Sequence, residues 1–363
     1  MDQKSILISL GIGSNQIPLI EAALRKGYKV IGIDRDIDQR EEIQGLEKIK
    51  CSTFNSEKII KILPDFLKNS SPNGLLLRTT GPSLISASRI ISKYKLKGIS
   101  KKLADASVRK SILRDQCESL NIPTIKGEVF KNFEKINLSW GNKVIKPDIP
   151  LVGKNNIYIP KNRLQAKEYF LKVQEESYND LVEVQDYTDG IDISFMVFCN
   201  NSKVSKSLVF EEWVEIKNNK FFGVGVSILK KNKLQNIIDQ MIIYAEKLIN
   251  FWEFNIGVVF FTFRFDENKI LKLYEVNPGL AGDKIVDLLL PQALKKEREY
   301  FYDLEVLNCT GQQIENEIFN PLELAVIKNQ VMSRENAINL IFNNKEYSNL
   351  KKRMKNFKKL IEE

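Results

Sequence analysis

Residues 5–34 read SILISLGIGSNQIPLIEAALRKGYKVIGID. The apolar run after Ser5 fits a strand buried on both faces, the glycines of GIGSN fit a tight turn, and PLIEAALRK has the helical spacing that Gly27 then stops. A second buried strand, KVIGID, follows at once, and strand, helix and strand in this order open a parallel sheet. Working outward, residues 55–72 (NSEKIIKILPDFLKNSSP) read as a helix up to their Asn/Ser/Pro punctuation, residues 74–80 (GLLLRTT) as an apolar strand, and residues 81–98 as a loop followed by a helix. Alternation alone makes residues 1–100 an α/β layer domain.

The texture changes after residue 100. Residues 102–123 (KLADASVRKSILRDQCESLNIP) are expected to form one long amphipathic helix, ended by Asn121 and Pro123. Beyond it, KVIKP, NIYIP, LVEVQDY, IDISFMVFCN, KSLVFEEWVEI, VVFFTFRFD and ILKLYEV alternate apolar and polar residues or run apolar between turns. Helices are expected over residues 163–177 and 234–252. The chain is therefore read as α/β followed by α+β: residues 1–100, residues 101–300 built on antiparallel sheet, and a mostly helical, polar extension over residues 301–363.

The composition, 43% hydrophobic and 28% charged over 363 residues, is ordinary for a globular chain of two or three domains. No run of about 18 uncharged apolar residues is present, and the opening residues lack a signal-peptide or transit pattern, so a soluble, cytoplasmic chain with no membrane partner is expected. Cys51, Cys117, Cys199 and Cys309 stand far apart without a CxxC pair, which argues against a zinc knuckle or a disulfide framework. The absence of histidine excludes more. Ser-His-Asp and Cys-His nucleophiles, HExxH zinc sites and histidine general bases all fall together. Chemistry must run on carboxylates, lysines, arginines, backbone amides and bound ions. The net charge of +9 is spread over Lys-rich segments and residues 345–360 without aromatic interleaving, which reads as solvated surface rather than a nucleic-acid footprint.

Three local patterns carry chemistry. In GIGSN, Gly11 and Gly13 allow a ligand to approach a helix N-terminus, and Asp34 ends the next strand. A steric turn, a small-substrate site and a dinucleotide site all remain open, although Gln16 stands where a third glycine would complete GxGxxG. KVIKP puts Lys146 at a strand end ahead of a turn-rich loop bearing Lys154, a pattern suited to clamping phosphates beneath a loop that excludes water. In YEVNP, Glu275 and Asn277 lie two apart on a strand and share a face, where two hard oxygen donors suit magnesium. Either pattern alone reads equally as a solvated strand end.

The order of these pieces resembles the ATP-grasp superfamily from about residue 5 to about residue 290. The opening domain looks like the Rossmann-like pre-ATP-grasp domain, and residues 106–125 are similar to the family's lysine, arginine and "GIP" segment, with Lys110, Arg114 and NIP in those places. VIKP, VGKNN, LVEVQDYTDGIDIS and YEVNP then follow in family order. The resemblance implies a two-lobed ATP-grasp domain on antiparallel sheet, with ATP and Mg2+ (or Mn2+) as cofactors. It implies that Lys110 and Lys146 contact phosphates, that Lys154 rides the covering loop, and that Gln185, Asp186 and Thr188 meet the adenine edge. Asp192 falls at the ribose acid, and Glu275 and Asn277 hold the metal.

Three positions depart from the family pattern. Thr262 stands near the place of an earlier metal-binding acid, Gly279 replaces the arginine of "NPR", and the covering loop is poor in glycine. Arg264 is expected to supply the missing anion contact, which counts it with Lys154 among the catalytic residues. Asp283 is read as a helix cap for residues 284–292 or as a partner for a substrate ammonium. The resemblance implies an ADP-forming ligase that joins a small carboxylate, such as an amino acid, to an amine, and leaves a homo-oligomer open. The departures keep a second reading in view, an ATP-binding sensor or scaffold without turnover.

Overall fold

The computed structural model describes residues 5–37, 42–68, 70–150, 156–230, 234–282, 284–312 and 319–362. Strands β1 (Ile6–Leu10), β2 (Lys29–Asp34), β3 (Leu46–Lys50) and β4 (Pro72–Leu76) form a parallel sheet in the order β3-β2-β1-β4. Helix α1 (Ile17–Arg25) connects β1 to β2, α2 (Ser56–Leu67) connects β3 to β4, and α3 (Ser83–Tyr94) follows β4. Alternation of side chains sends Ile8 and Leu75 toward the α2 and α3 side, where Ile59, Leu63 and Ile90 lie. Leu7 and Leu76 instead join α1 residues Leu19, Ile20 and Ala23. Gly27 has φ +85, the left-handed stop expected of it. The Asn55 side chain caps α2 by accepting from the Lys58 amide at 3.0 Å, a contact worth about 1 kcal/mol.

The expected long helix is two. Helix α4 (Lys101–Val108) ends at Arg109, which is extended at φ −116 and ψ 110, and α5 (Lys110–Ser119) starts afresh. Asp148 holds the break. Fully buried, it accepts from Arg109 Nε at 3.1 Å, Ser111 Oγ at 3.0 Å and Asn179 Nδ2 at 2.8 Å. A charge so far from water requires several donors, and the helix gives way to provide them. The break makes Lys110 the first residue of α5.

A three-stranded antiparallel sheet follows, β5 (Gly127–Phe130), β6 (Lys143–Pro147) and β7 (Val182–Asp186), in the order β5-β7-β6. Helix α6 (Arg163–Glu175) covers it, and Ile145, Tyr158, Phe170 and Val184 give this lobe its own core. The expected strand NIYIP is reduced to bridges, because Tyr158 pairs with Ile145 on one side and with Lys220 on the other. The largest sheet runs β12-β11-β8-β9-β10-β13-β14 and is antiparallel throughout. Its strands are β8 (Ile191–Asn200), β9 (Lys203–Lys217), β10 (Lys220–Leu229), β11 (Ile256–Phe265), β12 (Leu271–Pro278), β13 (Leu324–Ile327) and β14 (Gln330–Ser333). Helix α7 (Gln235–Phe251) packs Ile238, Met241 and Leu248 on one face of it, in one cluster with Phe261 and Phe263. No helix among the described residues is long and apolar enough to cross a membrane.

Residues 301–363, expected as a mostly helical extension, distribute over three places. A π-helical turn (Ile285–Leu289) and α8 (Leu290–Leu294) lead into α9 (Arg298–Cys309), which packs on α1 and β4. The β13–β14 hairpin then widens the large sheet, and α10 (Arg334–Asn343) and α11 (Ser348–Glu362) close against that sheet.

Helix α9 buries Glu305 beside a cavity of about 20 Å³ that Leu77, Gly98, Gly279 and Asn308 help to line. Burial pushes its carboxyl up to about 8, against a weak opposing hydrogen bond from Asn308 Nδ2 at 3.3 Å. The unfolded carboxyl ionises near 4.5. The stability that a protonated Glu305 confers is therefore whole below pH 4.5 and drains away as pH rises toward 8. The Glu305→Gln variant should lose this decline and gain on the wild type by on the order of 4 kcal/mol at pH 8. Urea midpoints from pH 5 to 9 check it, and parallel curves for the two proteins would refute it.

Candidate active site

The site forms where the small lobe faces the large sheet. In β6 and β7, Lys146 lies directly across from Glu183, and Val144 across from Gln185. Glu183 and Gln185, two apart, share the face to which Lys146 points. The Lys146 ammonium donates to Gln185 Oε1 and forms an ion pair with Glu183 Oε2 at 3.1 Å. Arg114 reaches from α5 and donates from Nη1 to Glu183 Oε1. Gly127 leaves room for it, since a Cβ there would stand 3.1 Å from Arg114 Nη1.

All four side chains are buried, so their charges act on one another with little screening. Burial pulls the Lys146 pKa below its ordinary value, Glu183 resists, and the charge of Lys110 adds to the pull. Burial works to raise the Glu183 carboxyl, but Lys146 and Arg114 outweigh it and hold it below the usual carboxylate range.

Lys110 and Glu275 meet across the cleft as an ion pair at 3.2 Å. Backbone contacts bring them together: Leu273 N donates to Pro123 O at 2.8 Å and Thr124 Oγ1 to Leu273 O at 2.7 Å, which ties the chain leaving α5 to β12. Thr262 pairs directly with Glu275 across β11 and β12. The register skips Tyr274, and this bulge turns its ring toward the charged face, 5.8 Å from Arg264. Ser194 Oγ lies 3.3 Å from Thr262 Oγ1 and donates to Glu212, so a polar line crosses β11, β8 and β9.

Asp192 and Arg264 are directly opposed on β8 and β11. Arg264 grips both Asp192 oxygens, from Nε at 2.7 Å and Nη2 at 3.2 Å, and its Nη1 donates to Thr188 O at 2.6 Å. Its guanidinium is thus committed to the hinge after β7, and so is the Asp192 carboxylate expected to meet a ribose. Asp186 pairs with Lys143, while its amide donates to Lys126 O at 2.8 Å. Lys154 and Asp283 lie outside the described residues.

Sequence reading assigned no role to Glu183 or Arg114. The signal for Glu183 was present: a lone acid between Val182 and Val184, two before Gln185 and hence on its face. Gly279 also gains a reason. With φ +90 and its would-be Cβ 2.4 Å from Leu77 O, it admits no side chain, so the close approach of β4 excludes an arginine there.

Among the described residues no group of three or more His, Cys, Asp or Glu side chains could hold a metal by itself. Glu275 and Asn277 offer two oxygen donors of the kind magnesium accepts when phosphate oxygens and water complete its shell, so the residues fit a metal that arrives with a nucleotide.

A parallel α/β domain, a small antiparallel lobe and a large antiparallel sheet, with paired lysines and carboxylates where they meet, define a three-part architecture. The L-amino acid ligase from Bacillus licheniformis superposes with a TM-score of 0.72 at 14% identity, over 90% of this chain and 79% of the ligase. The N5-carboxyaminoimidazole synthetase from Staphylococcus aureus complexed with ADP gives 0.66 at 15%, over 93% and 87%. The biotin carboxylase domain of Hydrogenobacter thermophilus 2-oxoglutarate carboxylase, in complex with MgADP, ADP and bicarbonate, gives 0.66 at 13%, over 90% and 74%. A scan against protein-family models finds no match, and no curated sequence matches as a relative. The chain has the ATP-grasp fold.

If Lys146 holds a nucleotide phosphate, Lys146→Ala should lower MgATP affinity by about 1.5–3 kcal/mol, and the loss of one of the two cations on Glu183 should lower the stability of the free protein as well. Adding Glu183→Gln leaves the buried Arg114 without its carboxylate, so it should lower stability further and restore none of the affinity. Thermal midpoints with and without MgATP separate the two effects; an undiminished ATP-induced shift in Lys146→Ala would remove this lysine from the site.

Proposed function

We propose that the protein is an ADP-forming ligase that activates a carboxylate with MgATP and couples it to an amine or similar nucleophile. One observation carries this reading: Lys110, Lys146 and Glu275, from a helix and two separate sheets, converge on one cleft, and Lys110 and Glu275 neutralise each other there. Such a pair suits a triphosphate and its metal, which can take the lysine and the carboxylate respectively without leaving either charge unpaired.

In the proposed reaction Lys146 and Lys110 would hold phosphate oxygens, and Glu275 and Asn277 would hold a magnesium ion, which when bound would offset charge on the transferring group. A substrate carboxylate oxygen attacks the γ-phosphorus and ADP departs. The acyl phosphate then takes a nucleophile at its carbonyl carbon and releases phosphate. Fixed charges and exclusion of water do the catalytic work, which suits a chain without histidine. The reading gives Gln185 the role of accepting from an adenine amine through the second lone pair of the amide oxygen that already accepts from Lys146. Amino acids and other small carboxylates are the substrate class this reading favours, and a cytoplasmic setting suits it.

Thr262 supports a second reading, ATP binding without turnover, because the metal seat then has one carboxylate. An ADP-release assay over pooled amino acids and carboxylic acids, with nucleotide-free and magnesium-free controls, decides between them. The wild type should release ADP with at least one pool, and Glu275→Gln should lose that release at unchanged fold. MgATP stabilisation without release from any pool would favour the second reading, and a fully active Glu275→Gln at limiting magnesium would reduce the β12 end to a turn.

A further inference from the structure

The order β3-β2-β1-β4 places consecutive connections on opposite sides of β1, so the crevice outside the ends of β1 and β4 is a topological switch point, where open α/β sheets take ligands. The GIGSN turn closes β1 there. Gln16 ties it to the end of β4, donating from Nε2 to Arg78 O at 2.6 Å while its Oε1 accepts from Gly13 N at 3.1 Å. Gly279 lets this corner approach β12 so closely that Leu77 O is in contact, one residue from Arg78.

A charged cluster fills the corner. Arg78, its side chain 4% exposed, donates from Nη2 to Asp287 Oδ2 at 2.8 Å and from Nη1 to the Tyr302 hydroxyl. Tyr302 donates in turn to Asp287 Oδ1, which also accepts from Arg298 Nε at 2.7 Å. Among the described residues, two guanidiniums therefore share the one carboxylate of Asp287. Arg78 Nε is buried with no acceptor among the described residues, an unmet donor of a kind proteins seldom leave. Arg298, its side chain 43% exposed, opens the cluster to solvent. Asp287 itself sits in a π-helical turn, a geometry that recurs at functional sites.

We propose that Arg78 and Arg298 form the seat for an oxyanion, a carboxylate or phosphate group carried by the substrate to be ligated, with Asp287 and Tyr302 holding the two guanidiniums in place. The proposal rests on the ligase reading and narrows its substrate to molecules bearing such a group.

The test titrates the full-length protein, saturated with MgADP, with inorganic phosphate and separately with succinate, following thermal midpoints and heats of binding. Wild type should bind at least one of them. Arg298→Gln should weaken that anion roughly tenfold to a hundredfold and leave the MgADP-induced shift unaltered. A response to phosphate alone marks a phosphorylated substrate, and a response to succinate alone marks an acid. Phosphate held by the nucleotide lysines is unaffected by Arg298→Gln, so only the component this variant removes belongs to the seat. Arg78→Lys should act in the same direction, but Arg298→Gln is the deciding variant because its side chain is exposed and its loss spares the fold. If MgADP gives no shift, the ligase reading fails, and the same titration without nucleotide still tests the seat. Equal anion binding by Arg298→Gln and wild type, or no response of wild type to either anion, overturns the proposal.

Discussion

A carboxylate left 1% exposed between Arg114 and Lys146 has to stay charged and paired, because losing one partner of such a buried set costs about 3–5 kcal/mol. Glu183 thereby makes the position of α5 depend on β6 and β7. It also holds two cations, Arg114 and Lys146, in place, so that this corner is organised without a ligand. A hydrophobic residue in its place would leave Arg114 and Lys146 buried without their shared carboxylate. The geometry of β12 follows from the same helix, since the chain leaving α5 is bonded to Leu273.

The charges lining the cleft answer one another in pairs. Lys110 answers Glu275, Arg264 answers Asp192, and Lys143 answers Asp186. Of these, the Asp192–Arg264 pair is the most deeply buried and binds both oxygens, so it acts as a strut that joins the large sheet to the hinge at Thr188. Lys110 and Glu275 are partly exposed, and water and an incoming anion can compete for them. Burial and charge together thus divide one set of ion pairs into fixed and exchangeable members.

What was legible in the sequence followed from periodicity. Residues 5–34 needed no tertiary information, because a buried strand, a glycine-stopped helix and a second buried strand specify a parallel pair locally. Glu275 and Asn277 were expected on one face because strand alternation fixes which side chains share it, whereas Lys146 was read from its strand-end position and Gln185 from the family resemblance alone. The split of α4 from α5 was not, since its cause is Asp148, 39 residues beyond Arg109 and reached only in three dimensions. Strand β10 was overlooked for a different reason: Gly223 and Gly225 dilute its apolar pattern, and Gly225 has value only because β13 packs against it, with Val326 O 2.5 Å from where a Cβ would be. Arg264 looked available for an anion because sequence spacing cannot show that its cross-strand neighbour is Asp192.

Tyr158 belongs to two sheets at once. Its backbone bonds to Ile145 within the small lobe, it bridges to Lys220 on the β9–β10 hairpin, and the next residue donates from Ile159 N to Asn219 O at 3.1 Å. The hairpin is therefore a tether as well as an edge of sheet. A rigid-body swing of the lobe away from the large sheet must either break these bonds or carry the hairpin tip with it. The ease of entry to the cleft is then set some distance from the chemistry, by the stiffness of a turn in which Asn218 and Asn219 both hold left-handed backbone conformations.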